Sequence, residues 1–404
     1  MDVIVKCCAG LDVHKKTIMA CVRRLGKNGR VKKEVRQFNT MTRGILAMSD
    51  WMIEEGVTHV AMESTGVFWK PVYNIIEEHF EVMLCNATHI KQVPGRKTDV
   101  KDCEWIAQLL QHGLLKGSFI PPKPVRELRD LTRHRAQITK EKTSVVNRIH
   151  KTLEDANIKL NSVASDIMGR SGRDMIQAFI RGETEPAEIA ELARRKLRGK
   201  IPQLKVALEG RMTDHHRFML RTLYEHVMYL ERVIESLNTR IEQLMAEADR
   251  TSESTGQEFP LFLTVVALLM TIPGVDERAA QDIVAEIGTD MSVFPTEGNL
   301  ASWAGVSPGN NESAGKKKRG KTTKGNRWLR RSLSQAAWAA GRTKGTYLSA
   351  QYKRFASRRG SKRAIVAVAH TILGCAYFMI KNHQTYQDLG PDFFDCLAST
   401  TFSP

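Results

Sequence analysis

Four acidic residues in the first third of the chain have the types and spacing for metal-assisted phosphoryl transfer. Asp99 and Asp102 head the stretch RKTDVKDCEWIAQLLQHG, residues 96–113, in which Val100, Ile106, Leu109 and Leu110 recur at helical spacing. Residues three apart on a helix share a face. Two isolated acids lie upstream at strand-like positions, Asp12 in AGLDVHK and Glu63 in HVAMESTG. Clustered carboxylates suit hard divalent cations, which take oxygen ligands. Two Mg²⁺ ions about 3.5–4 Å apart activate an attacking oxygen and stabilise a leaving one. Each acid also has a plain structural reading. Asp99 is a possible N-cap, Asp102 is favourable to the helix dipole in the first turn, and Asp12 sits in a turn before His14 and Lys15. Glu63 resists such a reading, because it ends an apolar run and precedes Ser64-Thr65-Gly66. All four together favour catalysis.

The elements that must position these acids are legible from periodicity. Residues 3–11 form an apolar, β-branched run, 17–23 a second, and 31–39 alternate as a third, with Gly26 and Gly29 at a turn. Thr40 can cap a helix over 43–55. Residues 57–63 read as a buried strand, 68–80 as a helix, 81–87 as a fifth strand and 99–113 as a closing helix. The order β-β-β-α-β-α-β-α is the one expected of a ribonuclease H-like fold, with acids ending strands one and four and on the last helix. Periodicity does not give the strand order.

Composition narrows the partners. The chain has 404 residues, 42% hydrophobic and 26% charged, enough for two or three domains. Its formal charge is +17. From Ser313 to Arg363 there are 17 Lys and Arg and no Asp or Glu, which leaves 44 basic against 44 acidic residues elsewhere. An acid-free window interleaved with Trp328, Trp338, Tyr347, Tyr352 and Phe355 points to nucleic acid rather than a merely solvated face. The seven cysteines form no CxxC pair and read as reduced core residues of a cytoplasmic protein. The 12 histidines have no zinc-ligand spacing. No membrane association is expected. Residues 261–272 are too short to span a bilayer, and 364–380, which carry His370, read as a buried core helix.

The middle of the chain is helical. Proline-rich residues 121–124 mark a boundary, and a basic helix follows from Val125 to about Asp155. Residues 160–210 are polar, irregularly helical and carry no evident chemistry. Leu220, Leu223, Val227, Leu230, Ile234, Leu237, Ile241, Leu244 and Ala248 then alternate three and four apart, a coiled-coil seam. Its partner is either the 125–155 helix or a second subunit. Residues 251–257 read as a flexible joint. LLMTIPGVDERAAQDIVAEIG, 268–288, reads as a helix-hairpin-helix whose glycine turn exposes backbone N–H groups at a helix N-terminus, where a phosphate can sit. A short helix, a Gly/Pro/Asn loop, a basic hairpin or loop and a helix with a basic start follow over 300–342, and 386–404 form a loosely held tail.

Taken together, GLDVHKK (10–16), AMESTG (61–66), KTDVKDCEWIAQLL (97–110), TIPGVDERAAQDIVAEIG (271–288) and the stretch 300–338 resemble the DEDD-type transposases of bacterial insertion sequences. Their N-terminal domain is similar to the RuvC resolvase, and they are also described as bridge-RNA-guided DNA recombinases. The resemblance implies a RuvC-like catalytic domain over 1–120, a helical coiled-coil linker over 121–260, and a mostly helical C-terminal domain over 261–385. It implies that Asp12, Glu63, Asp99 and Asp102 are the tetrad holding Mg²⁺, two ions per site. By position in a P-x4-S-x-G-K pattern, the nucleophile is Ser313, with Ser307 as the neighbouring alternative. It also implies a structured guide RNA and a tetramer whose composite sites draw serine and tetrad from different subunits. Lys316, Lys317, Lys318, Arg319, Lys321, Lys324, Arg327, Arg330 and Arg331 are expected to neutralise phosphates. Two competing functions remain: a nuclease that uses water and no serine, and a non-catalytic nucleic-acid-binding protein.

Overall fold

The apolar runs near the N-terminus form an antiparallel meander in the computed structural model: β1 (Cys7–Val13), β2 (Thr17–Leu25) and β3 (Val31–Asn39). The structure describes residues 3–26, 28–64, 66–93, 102–255, 261–308, 312, 313, 316, 317, 322 and 324–395. Contacts divide it into two units, Met1–Pro121 and Pro122–Pro404.

In the first unit, α1 (Thr42–Glu54) leads to β4 (His59–Glu63), and α2 (Trp69–Ile76) leads to β5 (Glu81–Cys85). A short α3 (Ala87–Gln92), not expected from the sequence, precedes α4 (Asp102–Gln111). The sheet order is β3-β2-β1-β4-β5. β4 lies parallel to β1 and β5 parallel to β4. Parallel neighbours require a crossover, and α1 and α2 supply the two. This mixed sheet has the ribonuclease H-like arrangement.

The two faces of the sheet have different covers. Ala9, Leu11 and Val13 of β1 and Val60 and Met62 of β4 pack with Ile45, Met48, Trp51 and Met52 of α1 and Val72 and Ile76 of α2. The alternate residues face the other way. Cys8, Ala61 and Cys85 pack with Trp105, Ile106, Leu109 and Leu110 of α4. Period-2 alternation therefore decides which side chains of β1 and β4 meet α4. The helix is also tied by polar contacts. Lys33 of β3 pairs with Glu104 at 2.7 Å, and Arg23 of β2 donates to the buried Gln111 side chain at 3.0 Å.

The second unit begins with α5 (Lys123–Asp155), whose N-terminal prolines suit a first turn. Its partner is α10 (Asp214–Thr255). Contacts Arg135–Asn238, Lys142–Glu231 and Asp155–His216 run in opposite senses along the two helices, so the pair is antiparallel. The seam is filled from within the chain: Leu220, Leu223, Val227 and Leu230 are buried with Val145, Ile149 and Leu153. Leu237 and Ala248 stay partly exposed.

Between them, α6 (Leu160–Val163), α7 (Arg170–Arg181), α8 (Pro186–Ala190) and α9 (Ile201–Ala207) cap this core through Met175, Phe179, Ile189 and Leu204. Arg173 holds Glu231 in a two-pronged contact at 2.9 and 2.6 Å. Burial works against the Glu231 charge, but the hydrogen bonds and charges of Arg173 and Lys142 outweigh it and lower its pKa.

The C-terminal elements are α11 (Phe262–Leu269), α12 (Glu277–Ile287), α13 (Glu297–Ala304), the two-residue strands β6 (Glu312–Ser313) and β7 (Lys316–Lys317), α14 (Arg327–Ala340), α15 (Tyr347–Arg359) and α16 (Ser361–Asn382). Among the described residues, α16 alone is long and apolar enough to cross a membrane. It packs instead against α11, α13, α14 and α15, and buried Tyr377 donates to the Phe294 carbonyl at 3.1 Å.

Two local expectations change. Residues 251–255 continue α10 rather than forming a joint, while 256–260 lie outside the described residues. Asp249 caps α11, accepting from Phe262 N at 2.6 Å and Leu263 N at 3.0 Å. The tail up to Asp395 is held as well: Phe393 and Phe394 pack on Tyr347, with ring centroids 5.2 Å away in both pairs.

Truncating the fully buried Ile149 to Ala should lower the unfolding free energy by about 2–5 kcal/mol, read from denaturant titration of the whole chain.

Candidate active site

Register brings Asp12 and Glu63 side by side. In the parallel β1–β4 pair, Leu11 stands opposite Met62, so the next residue on each strand is the acid. Leu11 and Met62 point into the α1/α2 core, so Asp12 and Glu63 project to the α4 side. Asp12 lies within β1, opposite Met19, rather than in a turn after the strand. Glu63 is the last residue of β4 and pairs with Cys85.

Asp102 reaches the same place because of Gly10. This glycine lies two residues before Asp12 and faces α4. A Cβ added there would stand 2.3 Å from the Cys103 carbonyl oxygen and 2.4 Å from the Ala107 N. Only a glycine lets the first turns of α4 rest directly on the strand. Asp102, the first residue of that helix, is thereby held next to the Asp12 and Glu63 pair. Glycine inside a strand pattern signals close backbone approach. That signal was present in GLDVHK, but without the strand order it does not say what approaches.

The electrostatics report the convergence. The Asp12 carboxyl is pushed above the usual carboxylate range first by burial and then by the charges of Asp102 and Glu63, with His14 opposing. His14 Nε2 lies 3.2 Å from Asp12 Oδ2. The Asp12 side chain is 22% exposed, and Asp102 is open to solvent.

Asp99 lies outside the described residues. Among the described residues no three His, Cys, Asp or Glu side chains stand close enough to enclose a metal ion by themselves. The charges of Asp102 and Glu63 make ionisation of Asp12 more costly, yet the three acids do not form a closed cage. An all-oxygen donor set, open on the Asp102 side, has the chemistry that suits a hard divalent cation.

Ser313 belongs to the second unit. It lies in β6, opposite Lys316 of β7 in a tight antiparallel hairpin, with Glu312 opposite Lys317. Lys318, Arg319 and Lys321 lie outside the described residues, and Lys324 is exposed. Arg327 stacks on Trp328 at 4.8 Å. Arg331 Nη1 donates to the Ala136 carbonyl at 3.0 Å, so part of its guanidinium is used inside the protein. Arg330 is half-buried.

Both ends of this segment are fixed. Gly325 lies against Gly305, with a virtual Cβ only 2.2 Å from the Gly305 N. Asn326 donates its backbone N–H to Trp303 O at 3.2 Å and caps α14, accepting from Trp328 N and Leu329 N. Its side-chain amide donates to Glu286 Oε2 at 2.6 Å. Glu286 is buried and receives both prongs of Arg133 at 2.7 Å. Arg129 donates to the Glu286 carbonyl as well, and burial pulls its pKa down to about 10 despite the Glu286 charge. Sequence reading missed this hub, because an acid in a helix with no partner in local sequence carries no signal.

The turn of the helix-hairpin-helix is less open than expected. Gly274, at φ +89°, rests on α14, where a Cβ would come within 2.3 Å of Ala340 N. Asp276 already caps α12 by accepting from Ala279 N at 2.8 Å. A cavity of about 270 Å³ beside it is lined by Arg135 and Arg331, but also by Asp276 and Asp282.

Two variants test these supports. Gly10→Ala forces backbone atoms apart and should destabilise the chain by about 1–3 kcal/mol in denaturant unfolding. Glu286→Ala leaves the mostly buried Arg129 and the partly exposed Arg133 without their carboxylate and should cost about 1–3 kcal/mol in the same measurement.

Two family models match the chain. One, described as a transposase and built on DEDD transposases of the IS110 family, covers residues 9–158. The other, described as the transposase IS116/IS110/IS902 family, covers residues 266–353. Together they span more than half of the chain. No curated protein matches it. DEDD transposases use divalent metal and act on DNA, in keeping with the acids on β1, β4 and α4. The chain belongs to the IS110 family of DEDD transposases and is a DNA transposase of an insertion sequence.

Proposed function

We propose that this transposase cuts and rejoins DNA by Mg²⁺-dependent phosphoryl transfer through a serine–DNA intermediate. Asp12, Glu63, Asp99 and Asp102 are the ligands, with two ions per site, and Ser313 is the nucleophile. The observation that carries the first half is the charge felt by Asp12 from Asp102 and Glu63, three acids drawn from β1, α4 and β4. Bound divalent ions would polarise the scissile phosphate and neutralise charge on the departing oxygen.

The chain's own residues have separable tasks. β1 and β4 hold two acids in fixed register, and α4 adds the third. Ser313 is carried on the β6–β7 hairpin, upstream of the Asn326–Glu286 contact at the start of α14. A serine hydroxyl needs activation to attack. In the proposed step the Ser313 Oγ–phosphorus bond forms as the bond from phosphorus to the 3′ oxygen breaks. The 3′ oxygen leaves with the electron pair and, by way of solvent, takes up the proton that the serine hydroxyl gives up, becoming a 3′ hydroxyl. One phosphodiester is exchanged for another, so rejoining is the reverse reaction with a new 3′ hydroxyl and needs no energy source.

Lys316, Lys317, Lys318, Arg319, Lys321, Lys324, Arg327, Arg330 and Arg331 are proposed to position DNA or RNA through phosphates. Among the described residues none makes an evident base-reading arrangement. Guidance by a structured RNA, in which pairing would carry sequence and the protein would read shape, rests on the resemblance of the motifs alone. Guidance and assembly into a homo-oligomer, dimer to tetramer, follow the resemblance of the motifs. Since α5 fills the α10 seam, assembly would use another surface. The proposed setting is the bacterial cytoplasm.

Trapping on element-end DNA with Mg²⁺ tests the reading. A protein–DNA adduct should form and disappear in Ser313→Ala, whereas Asp12→Ala, Glu63→Ala and Asp102→Ala should each slow its formation by more than about 100-fold. Strand cleavage that persists in Ser313→Ala would favour a water-using nuclease. DNA binding with no metal-dependent product from the unaltered protein would favour a non-catalytic binder.

A further inference from the structure

Unit Pro122–Pro404 carries a second basic surface, at the corner where α15 ends and α16 begins. Lys353, Arg358, Arg359, Lys362 and Arg363 are all exposed there. Among the described residues none of the five makes a hydrogen bond or ion pair. Several exposed or partly exposed cations elsewhere in the unit are paired, Arg181 with Glu183, Arg194 with Asp174, Arg217 with Asp214 and Arg240 with Glu247, whereas here five without a partner adjoin. Burial does not explain the corner, nor does helix stability. Arg358 and Arg359 complement the C-terminal dipole of α15, but Lys362 and Arg363 lie in the first turn of α16, where positive charge is unfavourable.

The fold keeps this charge together. Gly360, at φ +82°, turns the chain between the helices with no intervening loop, so the two charged ends cannot separate. Arg354 anchors the corner, stacking on Phe394 at 5.2 Å and donating to the Phe394 carbonyl at 3.3 Å. An open cavity of about 390 Å³ lies alongside, lined by Lys353, Ser357 and Arg358 and faced by Asp395. Even there basic side chains outnumber the single carboxylate.

We propose that this corner is a phosphate-contacting surface for duplex DNA, separate from the basic hairpin and the start of α14. Unpaired Arg and Lys that retain full hydration in the free protein gain by replacing the counterions of a phosphate backbone. A protein partner would be expected to meet an apolar centre with depleted lysine, and this corner offers only the partly exposed Phe355. From Lys353 to Arg359 the helix rises about 9 Å, against about 3.4 Å of axis per phosphate on one DNA strand. The surface thus reaches two or three successive phosphates. DNA as the partner class follows from the family and does not depend on the serine or on the metal ligands.

The test is duplex binding by the full chain without divalent metal, titrated over about 50–200 mM salt. In the R358A/R359A/K362A/R363A variant the slope of log affinity against log salt should become shallower by about 2–4, with weaker binding at every salt concentration. The charge-matched variant R181A/R194A/R217A/R240A should keep the original slope, as should R358K/R359K, which retains charge. Equal loss in the charge-matched variant would reduce the effect to net charge and overturn the proposal. So would an unchanged slope in the corner variant with the same unfolding midpoint as the parent. Loss of affinity for an RNA hairpin alone, with duplex DNA unaffected, would overturn the assignment to DNA.

Discussion

Carboxylates that repel one another are brought together here by a contact between backbones. Gly10 carries no side chain, α4 rests on it, and the helix begins with Asp102 at that point. The neighbouring strands present Asp12 and Glu63 on the same side. Each acid alone fits a turn, a cap or a strand end. Burial first, and then the charges of Asp102 and Glu63, push the Asp12 carboxyl up against the opposing His14, and an ordinary core would gain nothing from that arrangement. Strain of this kind concentrates where proteins do chemistry. The apolar packing of Trp105, Ile106, Leu109 and Leu110, together with the Lys33–Glu104 pair, holds α4 against that repulsion.

The second unit solves a different problem with a different device. A hairpin bearing a serine and several lysines has little apolar surface with which to fix itself. Downstream of it, Asn326 joins the cap of α14 to the buried carboxylate of Glu286. Glu286 in turn neutralises Arg133 and supports Arg129, so α5, α12 and α14 meet at one polar hub. Such a network adds less stability than an apolar core of the same size, but it is intolerant of partial satisfaction. That intolerance suits a loop base whose position matters. The cation–π contact of Arg133 with Trp328, at 5.9 Å, extends the same hub to the first turn of α14.

Much of the first unit was legible in the sequence, because its strands alternate and its helices carry apolar stripes. That Asp12 and Glu63 sit on strands and Asp102 on the closing helix followed from periodicity; that these elements adjoin did not. What could not be read was long-range. The strand order places β1 between β2 and β4, and only then does Gly10 acquire a reason. The seam on α10 was plain from its spacing, but its partner was not, since a stripe says that something must cover it and not what. The reading of 251–257 as a joint failed over 251–255, where α10 continues: helix termination was inferred from Ser and Thr, while Asp249 of α10 caps α11 and ties the two helices together. The tail was misjudged in the same way: Phe393 and Phe394 look isolated until Tyr347 is beside them.

The central claim is that the acids of β1, β4 and α4 form one cation-binding site, and it is tested most directly by Mn²⁺-dependent thermal unfolding of the full chain. Ligand that binds only the folded state raises the unfolding midpoint with concentration. The account predicts a rise for the parent protein that saturates with Mn²⁺ and is lost in Asp12→Asn and in Asp102→Asn alike. An equal rise in the parent and both variants would place the cation elsewhere and contradict it.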